Sequence, residues 1–220
     1  MTREIVLDTE TTGLDSATHR IVEIGCVELI DGLPSGCEFH QYVNPQRAVP
    51  REAVLIHGLD DKQLADKPVF AQIVHAFLEF IGDAPLVMHN AAFDLGFLNA
   101  DLLALGLPLL EKSRAIDTLK LARKVRPGAK ADLDSLCRYY KVDADRRLHG
   151  ALKDAKLTAE VYLHLNGGRQ KAMDVTGGRK DIRIDGISPA EWTPRLVQPT
   201  AAELAAHAAF MATIPTAIWG

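Results

Sequence analysis

Cysteine is scarce in this sequence: Cys26, Cys37 and Cys137 are the three present, and no C-x-x-C pair includes them. An odd, scattered set supplies neither a disulfide framework nor a zinc site, and it suits a reducing compartment. Long apolar runs are missing too. No stretch approaches the ~18 consecutive apolar residues of a membrane-spanning helix. The opening residues, MTREIVLDTE, place charges where a secretory signal needs an apolar run. A soluble, cytoplasmic protein with no membrane contact is therefore expected. Basic excess is also absent, since the net charge is −4 and the pI about 6.1. No bulk positive charge advertises a nucleic-acid partner. That absence excludes little, because a protein that gathers carboxylates around metal ions carries its own acidic load. Finally, no G-x-G-x-x-G follows a strand candidate, which disfavours a dehydrogenase.

What remains is ample for a folded domain. The 220 residues are 47% hydrophobic, enough for one full-sized core and an appendage. Residues 3–8, 20–30 and 37–43 are rich in β-branched and aromatic side chains. Asp31-Gly32 and Pro34-Ser35-Gly36 offer turn chemistry between the last two, so these segments read as an antiparallel meander. From Pro68 the period changes. Val69, Phe70, Ile73, Val74, Phe77, Leu78 and Ile81 recur at helical spacing between Pro68 and Gly82. A short apolar run, Leu86-Val87-Met88, precedes a helix expected from about Ala91 to Leu105. Another strand should end at Ala115-Ile116, with Asp117 or Thr118 capping the next helix. Further helices are expected over 132–141 and about 150–166. The fold class is thus α/β, a mixed sheet of antiparallel meander plus parallel strands flanked by helices. Periodicity fades after Gly167-Gly168. The expected organisation is a domain over 1–168, a flexible linker over 169–200 and a C-terminal helix or tail over 201–220.

Carboxylates at particular spacings suggest chemistry. Asp8 and Glu10 lie two residues apart at the end of the first strand, so their side chains share a face. Such a pair repels itself unless a cation intervenes, and an oxygen-rich site suits Mg²⁺ or Mn²⁺. By itself so short a pair reads more readily as a solvated acidic loop. Two other segments change its weight. HNAAFDLGFL, residues 89–98, puts Asp94 in the first turns of a helix that follows a strand. HGALKDA, residues 149–155, puts Asp154 on a helix. His149, five residues earlier, is a poor fit to that helix face and belongs in the loop before it.

VLDTETTG at 6–13, HNAAFDLGFL at 89–98 and LHGALKDAKLTAEVYL at 148–163 resemble the three exonuclease motifs of the DEDD superfamily, in its histidine-containing branch. With THRIVEIG at 18–25 and LDSLCRYY at 133–140, the chain is similar to the proofreading subunits of bacterial DNA polymerase III over about residues 3–168. The resemblance implies a ribonuclease H-like fold and 3′→5′ removal of nucleotides as 5′-monophosphates. It implies that Asp8, Glu10, Asp94 and Asp154 hold two divalent cations and that His149 is the general base toward the attacking water. An ordinary histidine titrates near ~6.5, which suits that task. It also implies a pocket for the 3′-terminal nucleotide contacted by Asp8, Glu10, Thr11, Glu52, His57, Asn90 and Asp154. Several of these have plain structural readings. Glu52 and His57 also fit a surface helix ending at Gly58, and Thr11-Thr12-Gly13 is ordinary turn chemistry. His89 and Asn90 either orient the site or simply end a strand. Leu14 and Phe97 are candidates for the wedge that splits the last base pair. The five basic residues between Lys120 and Lys130 could track phosphates or form a solvated helix face.

The expected partners follow from the same resemblance. They are the 3′ end of DNA, single-stranded or frayed, and a polymerase catalytic subunit docked through Ala201–Trp219. A sliding clamp would be bound through Gln170–Val175, although Val175 stands where an aromatic residue is typical. The tail helix would carry Ala205, Ala208, Ala209 and Ala212 on a small-residue face, with Phe210, Ile214, Ile218 and Trp219 as apolar anchors. Packing of that helix on its own domain is the alternative. Two rival functions stay open: an RNA 3′-exonuclease of the same superfamily, and a non-catalytic polymerase-binding subunit. The second would be expected to have lost an acid or the histidine, and here all five are kept.

Overall fold

Strands β1 (Arg3–Thr11), β2 (Ile21–Ile30) and β3 (Leu33–Tyr42) form the antiparallel meander. The turn between the last two is tighter than expected. Asp31 and Gly32 both have positive φ (51° and 81°), as a two-residue hairpin turn matched to strand twist requires. Pro34-Ser35-Gly36 therefore lies inside β3 and takes no part in the turn. Gly36 has a φ of 92°, and the β2–β3 register shifts between Val27 and Leu29. β3 is the sheet's outer strand, where a proline costs no ladder bond.

The computed structural model describes residues 1–143, 148–167 and 199–212. The chain divides into two units, Met1–Met173 and Asp174–Gly220. In the first, helices α1 (Arg51–His57), α2 (Asp61–Leu64) and α3 (Phe70–Ile81) follow the meander. Strand β4 (Leu86–Met88) then leads into α4 (Ala91–Ala104). Strand β5 (Ala115–Asp117) leads into α5 (Thr118–Val125), and α6 (Leu133–Tyr140) and α7 (Ala151–Leu165) complete the unit. The sheet order is β3-β2-β1-β4-β5, with β1, β4 and β5 mutually parallel. This is the expected ribonuclease H-like mixed sheet. Asp117 caps α5 by accepting from the Leu119 and Lys120 N–H groups. The four-residue α2 was not foreseen. It rests on a capping box in which Asp60 and Gln63 satisfy each other's backbone N–H groups.

Strand alternation gives the sheet two differently covered faces. Ile5, Leu7, Ile24 and Cys26 pack with Phe77, Leu95 and Leu98 of α3 and α4. Val6, Val27 and Val87 pack with Ala155, Ala159 and Tyr162 of α7. The even-numbered positions of β1 thus look toward α7 and the odd ones toward α4. Tyr162 of α7 confirms the sidedness by donating its hydroxyl to Glu4 at 2.8 Å.

In the second unit the described residues form α8 (Ala201–Met211), at the expected place. Thr200 and Glu203 cap it reciprocally. Leu204 and Phe210 are exposed. Gln170–Val175, Ile214, Ile218 and Trp219 lie outside the described residues, as does most of the expected linker. No helix among the described residues is long and apolar enough to cross a membrane.

Candidate active site

The acids arrive from both faces of the sheet. Asp8 and Glu10 occupy even positions of β1 and look toward α7. There Asp154, only 2% exposed, sits in the first turns of the helix. Ligand atoms of Glu10, His149 and Asp154 all lie within 4.8 Å of one another. His149 Nδ1 is 3.3 Å from Asp154 Oδ2. Asp94 comes from the other layer, at the start of α4. Its Oδ1 accepts from Thr9 N (3.0 Å) and Thr9 Oγ1 (2.8 Å), so the odd-numbered residue between the two β1 acids fixes it.

Burial pushes the Asp94 carboxyl up to about 7; the Thr9 hydrogen bonds oppose that shift and the nearby Asp117 charge adds to it. Burial raises the Cys26 thiol, and the nearby charges of Asp8 and Asp94 raise it further. Carboxylates gathered in a place that disfavours their charge need a cation more than another anion. The donor set, oxygens with a single imidazole, fits a hard divalent ion.

The close approach of α7 depends on a residue whose role the sequence did not reveal. Gly25 lies opposite Asp8 in the β1–β2 ladder. A Cβ placed on it would meet Leu152 N at 2.1 Å and Ala151 C at 2.3 Å. Both are backbone atoms of the α7 N-terminus and cannot swing aside. Gly25 thereby seats the first turn of α7 against the sheet and brings Asp154 to Glu10. Gly25→Ala is expected to cost ~1–3 kcal/mol through overpacking, to lower Tm and to cut turnover at least tenfold. Unchanged melting and turnover would mean that α7 does not need this contact.

Beside the acids lies a cavity of about 440 Å³ whose lining includes Glu10, Thr11, Leu14, Glu52, Ile56 and His57. His57 is 5% exposed. Its Nδ1 accepts from Leu59 N at 3.0 Å, which puts the ring proton on Nε2. Burial lowers the His57 pKa; the Thr11 backbone opposes this and the His149 charge adds to it. Nε2 is buried and, beside its approach to the Thr11 backbone, completes no hydrogen bond of good geometry among the described residues. Leu14 is 85% exposed at the cavity, as a wedge would be. Phe97 is 2% exposed inside the core; helical spacing turns it inward, and it cannot serve as a wedge. Asn90 is exposed at the α4 N-terminus with a φ of 73°, and it is not among the cavity's lining residues. His89 pairs with Thr118 at 2.9 Å, and Thr118 donates to Met88 O, which ties α5 to the sheet. Lys120, Arg123 and Lys124 are exposed along α5, while Arg126 lies over the Tyr139 ring.

The chain as a whole is similar to known proteins. The family model described as exonuclease matches residues 5–162. DNA polymerase III subunit epsilon of Rickettsia felis is 47% identical over 223 residues, which takes in 96% of each chain. The protein of that name from Escherichia coli is 41% identical, over 95% of this chain and 92% of its own. Among solved structures, exonuclease X in complex with 5′-overhanging duplex DNA superposes with a TM-score of 0.60. It is 31% identical over 76% of this chain and 91% of its own. The nuclease domain of 3′hExo, a DEDDh family member bound to rAMP, superposes with a TM-score of 0.64 over 75% and 92% of the two chains. At 19% identity it speaks to the fold alone.

Proposed function

This chain belongs to the exonuclease family, and from that premise we propose that it is the proofreading 3′→5′ exonuclease of a bacterial replicative DNA polymerase. The observation that carries the proposal is the meeting of Glu10, Asp154 and His149 beside a cavity of nucleotide size. Near-complete coverage of relatives named for a polymerase III subunit supports the replicative setting. Work on a replicating chromosome would place the protein in the cytoplasm.

Asp8, Glu10, Asp94 and Asp154 would hold two divalent cations, Mg²⁺ or Mn²⁺, which when bound supply positive charge to the reacting phosphate. The protein's own groups do the rest. Carrying its proton on Nδ1, toward Asp154 Oδ2 at 3.3 Å, His149 would accept a proton from the attacking water at Nε2. Half-exposure of its ring lets that proton leave to solvent. His57 would form part of the wall against the terminal nucleotide, with Glu52 and Thr11 beside it. Asn90 would approach the substrate from the α4 N-terminus. Docking of a polymerase subunit through residues 201–220, and of a clamp through Gln170–Val175, belongs to the same proposal. The outward Leu204 and Phe210 of α8 support the first.

The test is digestion of a 5′-labelled DNA oligonucleotide, paired or with a 3′-terminal mismatch, beside RNA of the same sequence. The expected result is a ladder shortening one residue at a time from the 3′ end, faster on the mismatch and stopped by EDTA. Internal cuts, or equal rates on RNA, would overturn the proposal.

A further inference from the structure

The loop that carries His149 is fastened to the wall of the nucleotide cavity. His149 N donates to Ile56 O at 3.0 Å, so the base is bonded through its own backbone to α1. One residue before it, Leu148 reaches over Gly58. A Cβ built on Gly58 would meet Leu148 Cδ1 at 2.8 Å. Gly58 closes α1 in the left-handed region, with φ 77° and ψ 0°, a conformation that glycine adopts without strain. The same glycine thus ends the helix and leaves room for the leucine. Glu52, Ala53, Ile56 and His57 of α1 line the cavity. A nucleotide seated against that helix is therefore registered against the element to which the base is tied.

We infer that Leu148 and Gly58 are positioning residues which hold His149 in register with the bound nucleotide through α1. The inference rests on the reading of His149 as the base. Leu148 is 50% exposed, so its burial contributes modestly to the core, and its removal acts on the loop more than on the fold. The reacting water and a proton acceptor must meet within hydrogen-bond reach, and a shift of ~1 Å can cost as much as ~10²-fold in rate.

The full-length enzyme is to be compared with Leu148→Ala, Leu148→Met, His149→Ala and the Leu148→Ala/His149→Ala double variant on single-stranded DNA. Leu148→Ala is expected to lower kcat about tenfold with KM nearly unchanged, and Leu148→Met to restore most of the loss. In the His149→Ala background the leucine change should add nothing, since the group it positions is already gone. Equal losses in both backgrounds, or a loss carried by KM, would overturn the inference. Amide exchange at His149 in the metal-free protein provides a separate readout. Leu148→Ala should speed it about tenfold, as the bond to Ile56 opens more often. Unchanged exchange would also overturn the inference. A near-normal rate for His149→Ala itself would sink the assignment of the base, and the exchange result would still decide whether Leu148 holds the loop.

Discussion

Asp8→Ala and Asp154→Ala are each expected to reduce nucleotide release by on the order of 10³-fold or more, while the domain keeps its fold. On the proposed roles, each change would remove an oxygen ligand from a site whose cation is worth several kcal/mol to the reacting phosphate, at ~1.4 kcal/mol per factor of ten. The melting temperature without metal should not fall in step with activity. Asp154 is 2% exposed, and losing it relieves crowding among like charges. The clearest signature is linkage. A ligand that binds only the folded state raises Tm, so the gain seen on adding Mn²⁺ to the parent should shrink in both variants. Cleavage that survives EDTA, or variants that retain parental rates, would remove the carboxylates from the chemistry.

His149→Ala is expected to lower turnover by ~10²–10⁴, the usual worth of a positioned acid–base group. Its effect should separate cleanly from the first. The imidazole is 41% exposed, stands outside α7, and in this reading accepts a proton without ligating. The Mn²⁺-dependent rise in Tm should therefore persist in His149→Ala although the rate collapses. Loss of both together would instead make His149 a ligand, a role that its distance to Glu10 and Asp154 also permits.

Much of this site could be read from sequence, because period and spacing are local facts. Asp8 and Glu10 had to share a face once residues 3–8 were a strand, and they do. Asp154 on a helix with His149 in the preceding loop also follows from a period of 3.6. What could not be read depends on how distant segments meet. Gly25 looks like any strand glycine until α7 is laid across it. Thr9 looks like a spacer between two acids until Asp94 arrives from the opposite face. Pro34-Ser35-Gly36 has the composition of a turn, but Asp31-Gly32 had already made one, and an outer strand tolerates the rest. Phe97 follows a rule that helical phase could have supplied: it lies three residues beyond Asp94, on nearly the same helix face, and both are 2% exposed.

The assembly of the acids from opposite faces of the sheet has a consequence during synthesis. The chain emerges from the ribosome N-terminus first, and Asp154 with its neighbour His149 belongs to the last segment of the first unit to appear. Until that helix has seated over Gly25, β1 and α4 can hold no more than three of the four carboxylates and have no base. On the proposed roles of Asp154 and His149, a nascent or incompletely docked chain would therefore be chemically silent. Hydrolytic capacity would then switch on only when the whole sheet has been clasped from both sides, which would spare nearby nucleic acid from a half-made nuclease.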